Sequence, residues 1–249
     1  MTDAAFDDVS QIYDRLIDWP KRLGHEEPFY RQLFGELGAR SVVDVACGSG
    51  RHAAMFHSWG LRVEGADVSP HMIEAARTAN GSSDDLNWVV RAFDQPIHPQ
   101  IPFDVSVCVG NSLALAPDLE TVQAAIRQML TAVGKSGAAV IHVLNLWHLP
   151  DGPCVWQKCR QVRWRGADVQ IFKGVHRCGS RGYVDMLITR PGKDGPLHSA
   201  SIPFLGLDET GLDGYAAQNG AKEIELYGGY QGQPYDRNKS VDLVMVMRT

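Results

Sequence analysis

The stretch Ser41–His52, SVVDVACGSGRH, decides the fold. Ser41 to Val45 form a short, mostly apolar run suited to a buried parallel strand, and Gly48 and Gly50 flank Ser49 before a helical run opens at Arg51. Glycine in such a loop lets the backbone approach a ligand closely. Roughly 20 residues further on, a second apolar run, Leu61–Ala66, ends in Asp67, where a carboxylate can accept hydrogen bonds from both hydroxyls of a ribose. Together the two features point to an adenosine-containing ligand.

Two cofactor classes fit that spacing. Gly48, Gly50 and Ala53 satisfy the relaxed G-x-G-x-x-G/A fingerprint that cradles the pyrophosphate of a nicotinamide dinucleotide on a helix N-terminus. Asp44 argues the other way. At the end of the strand its negative charge would oppose a diphosphate but suit the ammonium group of S-adenosyl-L-methionine. The run DVACGSG followed by GADVSPHMIEAAR resembles the class I S-adenosylmethionine-dependent methyltransferases. Within that family DVACGSGRH, FDVSVCVGNSLA and LYGGYQGQPYD are most like bacterial small-molecule enzymes of the glycine/sarcosine N-methyltransferase type.

The rest of the chain supports an α/β architecture. Strand-like and helical runs alternate from Ser41 to Asn145: Val42–Ala46, a helix from Arg51, Arg62–Ala66, a helix from Pro70, Asn87–Phe93 and Phe103–Val109. A helix carrying Leu119, Val122, Ile126, Met129 and Val133 then ends near Gly134, and Ala138–Leu144 follows as a strand. This is the rhythm of a doubly wound, Rossmann-like sheet, whose ligands bind beyond the carboxyl ends of its strands. After Leu149 four short runs (154–164, 168–176, 183–189 and 197–204) separated by turn residues predict a small antiparallel β cap. A helix over 208–218 and strands over 222–227 and 241–248 would return the chain to the main sheet as an antiparallel C-terminal hairpin. The expected division is a helical lid over 1–40, a cofactor-binding core over 41–149, a substrate cap over 150–206 and the return over 207–249.

The resemblance implies roles for individual residues. Asp44 would hold the methionine ammonium, Ala46, Gly48 and Gly50 would line the loop, and Asp67 would take the ribose. Val68 and Met72 would touch the adenine face, with the backbone of Ala92 and Phe93 at its edge. Many relatives carry an acid at the position of Ala92; here the nearest carboxylate is Asp94. Val109, Gly110, Asn111 and Ser112 would border the sulfonium, and Tyr13, Trp19 and Arg22 of the N-terminal segment would close over the cofactor, Arg22 on its carboxylate. Asn145, His148 and Tyr230 are the candidate catalytic groups, Tyr235 and Arg237 further candidates, and His142 reads as a core histidine.

Composition narrows the partners. With 249 residues, 44% hydrophobic and 21% charged, the chain can bury a full core. Its net charge of −5 and pI near 6.0 give no footprint for nucleic acid, so a small-molecule substrate is expected. No apolar run spans a bilayer and MTDAAFDDVSQ lacks the marks of a signal peptide, which predicts a cytoplasmic protein with no membrane partner. Its five cysteines show no C-x-x-C spacing, and no compact Asp/Asp/Asn set suggests a metal. Nine basic against four acidic residues between Asp151 and Leu205 suggest a cap that steers a small anionic substrate. The readings open at this point are a methyltransferase acting on N or O by in-line displacement, an NAD(P)-linked oxidoreductase, and a non-catalytic S-adenosylmethionine-binding protein; the oligomeric state is open too.

Overall fold

Every residue of β1 (Ser41–Val45) is buried, as expected of a strand covered on both faces. It lies in a seven-stranded sheet with β2 (Arg62–Asp67), β3 (Leu86–Val90), β4 (Phe103–Cys108), β5 (Val133–Leu144), β10 (Glu223–Tyr227) and β11 (Asp242–Arg248), ordered β10-β11-β5-β4-β1-β2-β3. The computed structural model describes residues 16–164 and 166–249. The pairs joining β1 to β5 are parallel, whereas β11 runs antiparallel to β5 and to β10. The doubly wound sheet with an antiparallel terminal hairpin is therefore present. Its order reverses at β1, between β2 and β4, the point at which open α/β sheets place their ligands.

Helices cover the sheet. α2 (Arg51–Ser58) and α3 (Pro70–Asn80) pack on β1, β2 and β3, and α4 (Leu119–Ala132) packs on β4 and β5. Local chemistry sets their starts: Ser69 accepts a hydrogen bond from Met72 N ahead of Pro70, and Asp118 accepts one from Thr121 N. α5 (Glu209–Gln218) is capped in the same way by Asp208.

The described residues divide into two units, one of residues 19–145 with 207–249 and one of residues 16–18 with 146–206. The first 15 residues of the expected lid over 1–40 lie outside the described residues. α1 (Trp19–Leu37) belongs to the core unit because Tyr30, Leu33 and Phe34 pack into the same apolar cluster as Phe56, Val63 and Val107. The second unit contains the antiparallel sheet β6 (Val155–Trp164), β7 (Ala167–Cys178), β8 (Arg181–Thr189) and β9 (Pro196–Leu205), the cap expected from the short runs and the turn residues between them.

Two boundaries differ from expectation. β3 stops at Val90, and Ala92 and Phe93 lie in a turn closed by Gln95 N donating to Ala92 O. β5 begins at Val133, immediately after α4, because Val133 already pairs with Phe103 and an irregularity in the register absorbs Gly134–Gly137. None of the described helices is long and apolar enough to cross a membrane.

Candidate functional site

Asp44 lies at the carboxyl end of β1, only 1% exposed, and neither carboxylate oxygen has a hydrogen-bond partner. Burial first, then the charge of Asp67, pushes its carboxyl up to about 8; the Ala53 amide, directed at it without closing a hydrogen bond, and Arg22 oppose this in smaller measure. An orphaned buried carboxylate is costly unless a cation joins it. The loop that follows leaves β-geometry at once, with positive φ at Ala46, Gly48 and Gly50. Gly50 is required for space as well, since a Cβ there would stand 2.5 Å from the Trp88 ring.

Asp67 fastens this loop from the next strand. Its Oδ2 accepts from Gly48 N at 2.8 Å and its Oδ1 from Ser69 N at 2.9 Å. Burial raises its carboxyl above the ordinary range while these amides oppose the shift. Each oxygen keeps acceptor capacity for a ribose hydroxyl. Val68 is 63% exposed beside it and Met72 is buried under the first turn of α3. Ala92 and Phe93 are half-buried, and Ala92 N donates to Gln95 Oε1, so that amide already has an acceptor.

The loop after β4 is held just as closely. Gly110 N donates to His142 Nδ1 at 3.1 Å, and Asn111 N donates to His142 O. Asn111 Oδ1 accepts from Leu144 N at 2.9 Å, and Gly110 and Asn111 both have positive φ. His142 is thus buried, as expected, but it also fixes the Gly110 turn. With Nδ1 accepting, its ring proton sits on Nε2, facing Asp242 Oδ1 at 3.1 Å off the line of a hydrogen bond.

On α1, Arg22 Nε donates to Glu26 Oε1 at 2.8 Å, while His52 Nε2 lies 2.6 Å from Glu26 Oε2. The guanidinium reaches Gly110, whose added Cβ would meet Arg22 Nη2 at 3.4 Å, and it stacks 5.2 Å from the centroid of Trp19. Sequence reading missed Glu26 and His52. The i,i+4 spacing of Arg22 and Glu26 was the available signal, though such pairs are ordinarily solvated.

The catalytic candidates separate. Asn145 is 1% exposed and donates through Nδ2 to Arg237 O and Ser240 O while Oδ1 accepts from the Tyr235 hydroxyl. Arg237 pairs with Glu209 at 2.8 Å. The Tyr230 hydroxyl accepts from Tyr30 at 3.2 Å, and burial holds both phenols well above their ordinary range. Asn145, Tyr235 and Tyr230 are therefore built into the packing of the closing segment. His148 lies in a short 3-10 turn, Leu146–His148, grouped with the cap unit, and Tyr13 falls outside the described residues. The Cys47 thiol is pushed up by burial and packs on Gly65 as a small apolar group. In the cap Cys154, His176 and Asp185 converge, with His176 Nδ1 2.6 Å from Asp185 Oδ2 and its ring stacked on Tyr183.

A sheet of this order, with a buried acid ending β1 and a second acid ending β2, defines the Rossmann-like class of nucleoside-binding enzymes. Residues 42–137 match the methyltransferase domain family. The chain is 30% identical over 171 residues to glycine/sarcosine N-methyltransferase of Parasynechococcus marenigrum (strain WH8102), which covers 66% of this chain and 59% of that protein. Among solved structures, an S-adenosylmethionine-dependent methyltransferase from Clostridium acetobutylicum superposes with a TM-score of 0.74 at 11% identity over 98% of both chains. SAM-bound CalS10, an amino pentose methyltransferase from Micromonospora echinaspora, does so with a TM-score of 0.71 at 19% identity, over 96% of this chain and 95% of that one. The chain is thus similar to the class I S-adenosylmethionine-dependent methyltransferases in the domain over 42–137 and in its fold, and it spans about 59% of the length of that curated relative. Neither the oxidoreductase nor the effector-binding alternative finds support among these relatives.

Proposed function

We propose that the protein transfers a methyl group from S-adenosylmethionine to an amine nitrogen of a small molecule. The observation that carries this reading is Asp44, a buried carboxylate without a partner at the one strand end where the sheet order reverses. An ammonium group supplies what it lacks, and a diphosphate would add to its cost. The relative from P. marenigrum, a glycine/sarcosine N-methyltransferase, favours nitrogen as the acceptor.

When bound, S-adenosylmethionine supplies a methyl group on a sulfonium, a leaving group good enough that the transfer needs mainly alignment. Every other task falls to the chain. Asp44 and Arg22 would bind the charged ends of the amino acid part, Asp67 would orient the ribose, and the Val109–Ser112 turn would border the methyl group. Fixing the partners in line can supply on the order of 7–11 kcal/mol of the acceleration. The acceptor amine must shed a proton before it attacks, and no buried base is needed if that proton passes to water.

The anionic preference drawn from the cap's charge takes a narrower form. Arg177 is engaged by the carbonyls of Leu149 and Gly179 and by Asp151, and Lys173 is buried, so these two cations serve the cap sheet itself. Arg181, exposed at the start of β8, is the better candidate for steering. The five thiols are all unpaired with one another, which suits a reducing cytoplasm, and the net charge disfavours nucleic acid.

The test is binding followed by turnover. Isothermal titration should show S-adenosylmethionine and S-adenosylhomocysteine binding, with no NAD(H) or NADP(H) binding, and the reverse preference would end this reading. Radiolabelled methyl transfer over amino acids, amino sugars, phenols and carboxylates should mark nitrogen acceptors. Exclusive labelling of oxygen would move the assignment to O-methylation.

A further inference from the structure

Gly174 stands in the interior of β7, where glycine weakens a strand and marks a place that another group approaches closely. Here that group is a thiol. A Cβ on Gly174 would run into Cys154 Sγ, so the missing side chain makes the space that the sulfur fills. Gly174 faces Asp185 across the β7–β8 pair, and Asp185 faces Ser201 across the β8–β9 pair. His176, two residues beyond Gly174 and so on the same face, reaches diagonally to Asp185, its Nδ1 2.6 Å from Oδ2. Tyr183, directly opposite, stacks on its ring. A sulfur from just ahead of β6, a nitrogen from β7 and an oxygen from β8, all half-buried, thus lie within 4.8 Å of one another.

A nucleophilic cysteine would need its thiol aimed at the imidazole and its thiolate favoured. Cys154 has neither. Its thiol is hydrogen-bonded to Asp185, and burial, then that bond and the charge of Asp185, push it above its ordinary range. Burial also acts to raise the Asp185 carboxyl, but hydrogen bonds from Ser201, His176 and Cys154 outweigh it and hold the group below the usual carboxylate range. The acid is therefore an anion that draws two donors onto itself, and a cation in their midst could replace both protons.

We propose that Cys154, His176 and Asp185 bind a zinc ion on this face of the cap sheet, with water in the fourth position. A thiolate beside an imidazole selects zinc over magnesium or calcium, which take oxygen ligands, and two anionic donors match the charge of the ion. Binding releases the thiol proton to solvent and takes His176 through Nδ1, with the ring proton on Nε2. Zinc about 2.0–2.3 Å from each donor sets tetrahedral ligand atoms about 3.3–3.8 Å apart, so the His176–Asp185 contact opens by roughly 0.7 Å. The ion would tie the entry to β6 onto β7 and β8. All three ligands belong to the cap unit, so the site is independent of what the core unit binds.

Cobalt(II) is the probe, because it occupies zinc sites and is coloured. Titrated into the full chain with a phosphine reductant, it should give the visible bands of a tetrahedral ion and a near-ultraviolet thiolate-to-cobalt band, and zinc should bleach both. Cys154→Ser should abolish the thiolate band, and Asp185→Asn should weaken cobalt binding by at least about tenfold. Cys159→Ser and Cys178→Ser, at the two exposed thiols, should leave the spectrum unchanged. The wild-type chain supplies a measurement that no folding defect can confuse. Followed by peptide mass spectrometry, zinc should slow alkylation of Cys154 by iodoacetamide about tenfold or more and leave Cys159 and Cys178 within about twofold. No thiolate band, a band that survives Cys154→Ser or disappears with Cys159 or Cys178, or equal alkylation of Cys154 with and without zinc overturns the site.

Discussion

Asp67 Oδ2 accepts a hydrogen bond from Gly48 N at 2.8 Å, so the acid that ends β2 clamps the loop that leaves β1. One side chain thus shapes the loop and keeps acceptor capacity for a ribose hydroxyl. Asp67→Ala should weaken S-adenosylhomocysteine binding by about 1.5–3 kcal/mol, the value of charged hydrogen bonds, as read by isothermal titration. Unchanged affinity would remove Asp67 from the ribose site.

The same loop distinguishes two glycines. At Gly48, φ is +55° and nothing lies within 4 Å of an added Cβ, so Gly48→Ala meets only the left-handed backbone, about 1–2 kcal/mol. At Gly50, φ is +76° and the Cβ would drive into the Trp88 ring at 2.5 Å, adding about 1–3 kcal/mol of overpacking. Urea denaturation should therefore place Gly50→Ala well below Gly48→Ala in stability. Equal midpoints would mean that Trp88 yields freely.

Much of this core was legible from sequence because its signals are local. The run of five residues into β1, the glycines after it and Asp67 at the end of β2 lie within a few residues of the features they define. The four cap strands were legible from short strand-like runs separated by turn residues. Glu26 and His52 were not, because the burial that makes them a pair arises only when α1 docks against α2. The anchoring of Asn145 was out of reach for the same reason, since its partners Tyr235, Arg237 and Ser240 lie 90 to 95 residues away. The end of β3 was overextended because Ala92 and Phe93 continue an apolar pattern that the Gln95 turn interrupts.

Asn145 now carries a stability prediction. Asn145→Ala would leave the carbonyls of Arg237 and Ser240 without this donor, and a buried polar group left unsatisfied costs about 1–3 kcal/mol. The thermal midpoint should fall, with the change in kcat small once the protein is held below its transition. A collapse of kcat at unaltered stability would return Asn145 to the chemistry.

Asp44 gives the protein a pH dependence whose sign can be worked out. Its carboxyl is raised from 3.8 to about 8, so below that pH the ligand-free protein holds a neutral acid where an ammonium needs an anion. The folded state then binds more protons than the unfolded chain between these two values, and the stability of the ligand-free protein should decline as pH rises through that window. Cofactor affinity should do the opposite. Binding must expel the proton, so affinity should climb by up to about tenfold per pH unit and level off near 8. Titrations at neutral pH in buffers of different ionisation enthalpy should show close to one proton released per S-adenosylhomocysteine bound. In Asp44→Asn, which cannot ionise, both the proton release and the slope should vanish together with most of the affinity. A wild-type affinity that is flat from pH 6 to 8, with no proton released, would show that Asp44 is not the group that receives the ammonium.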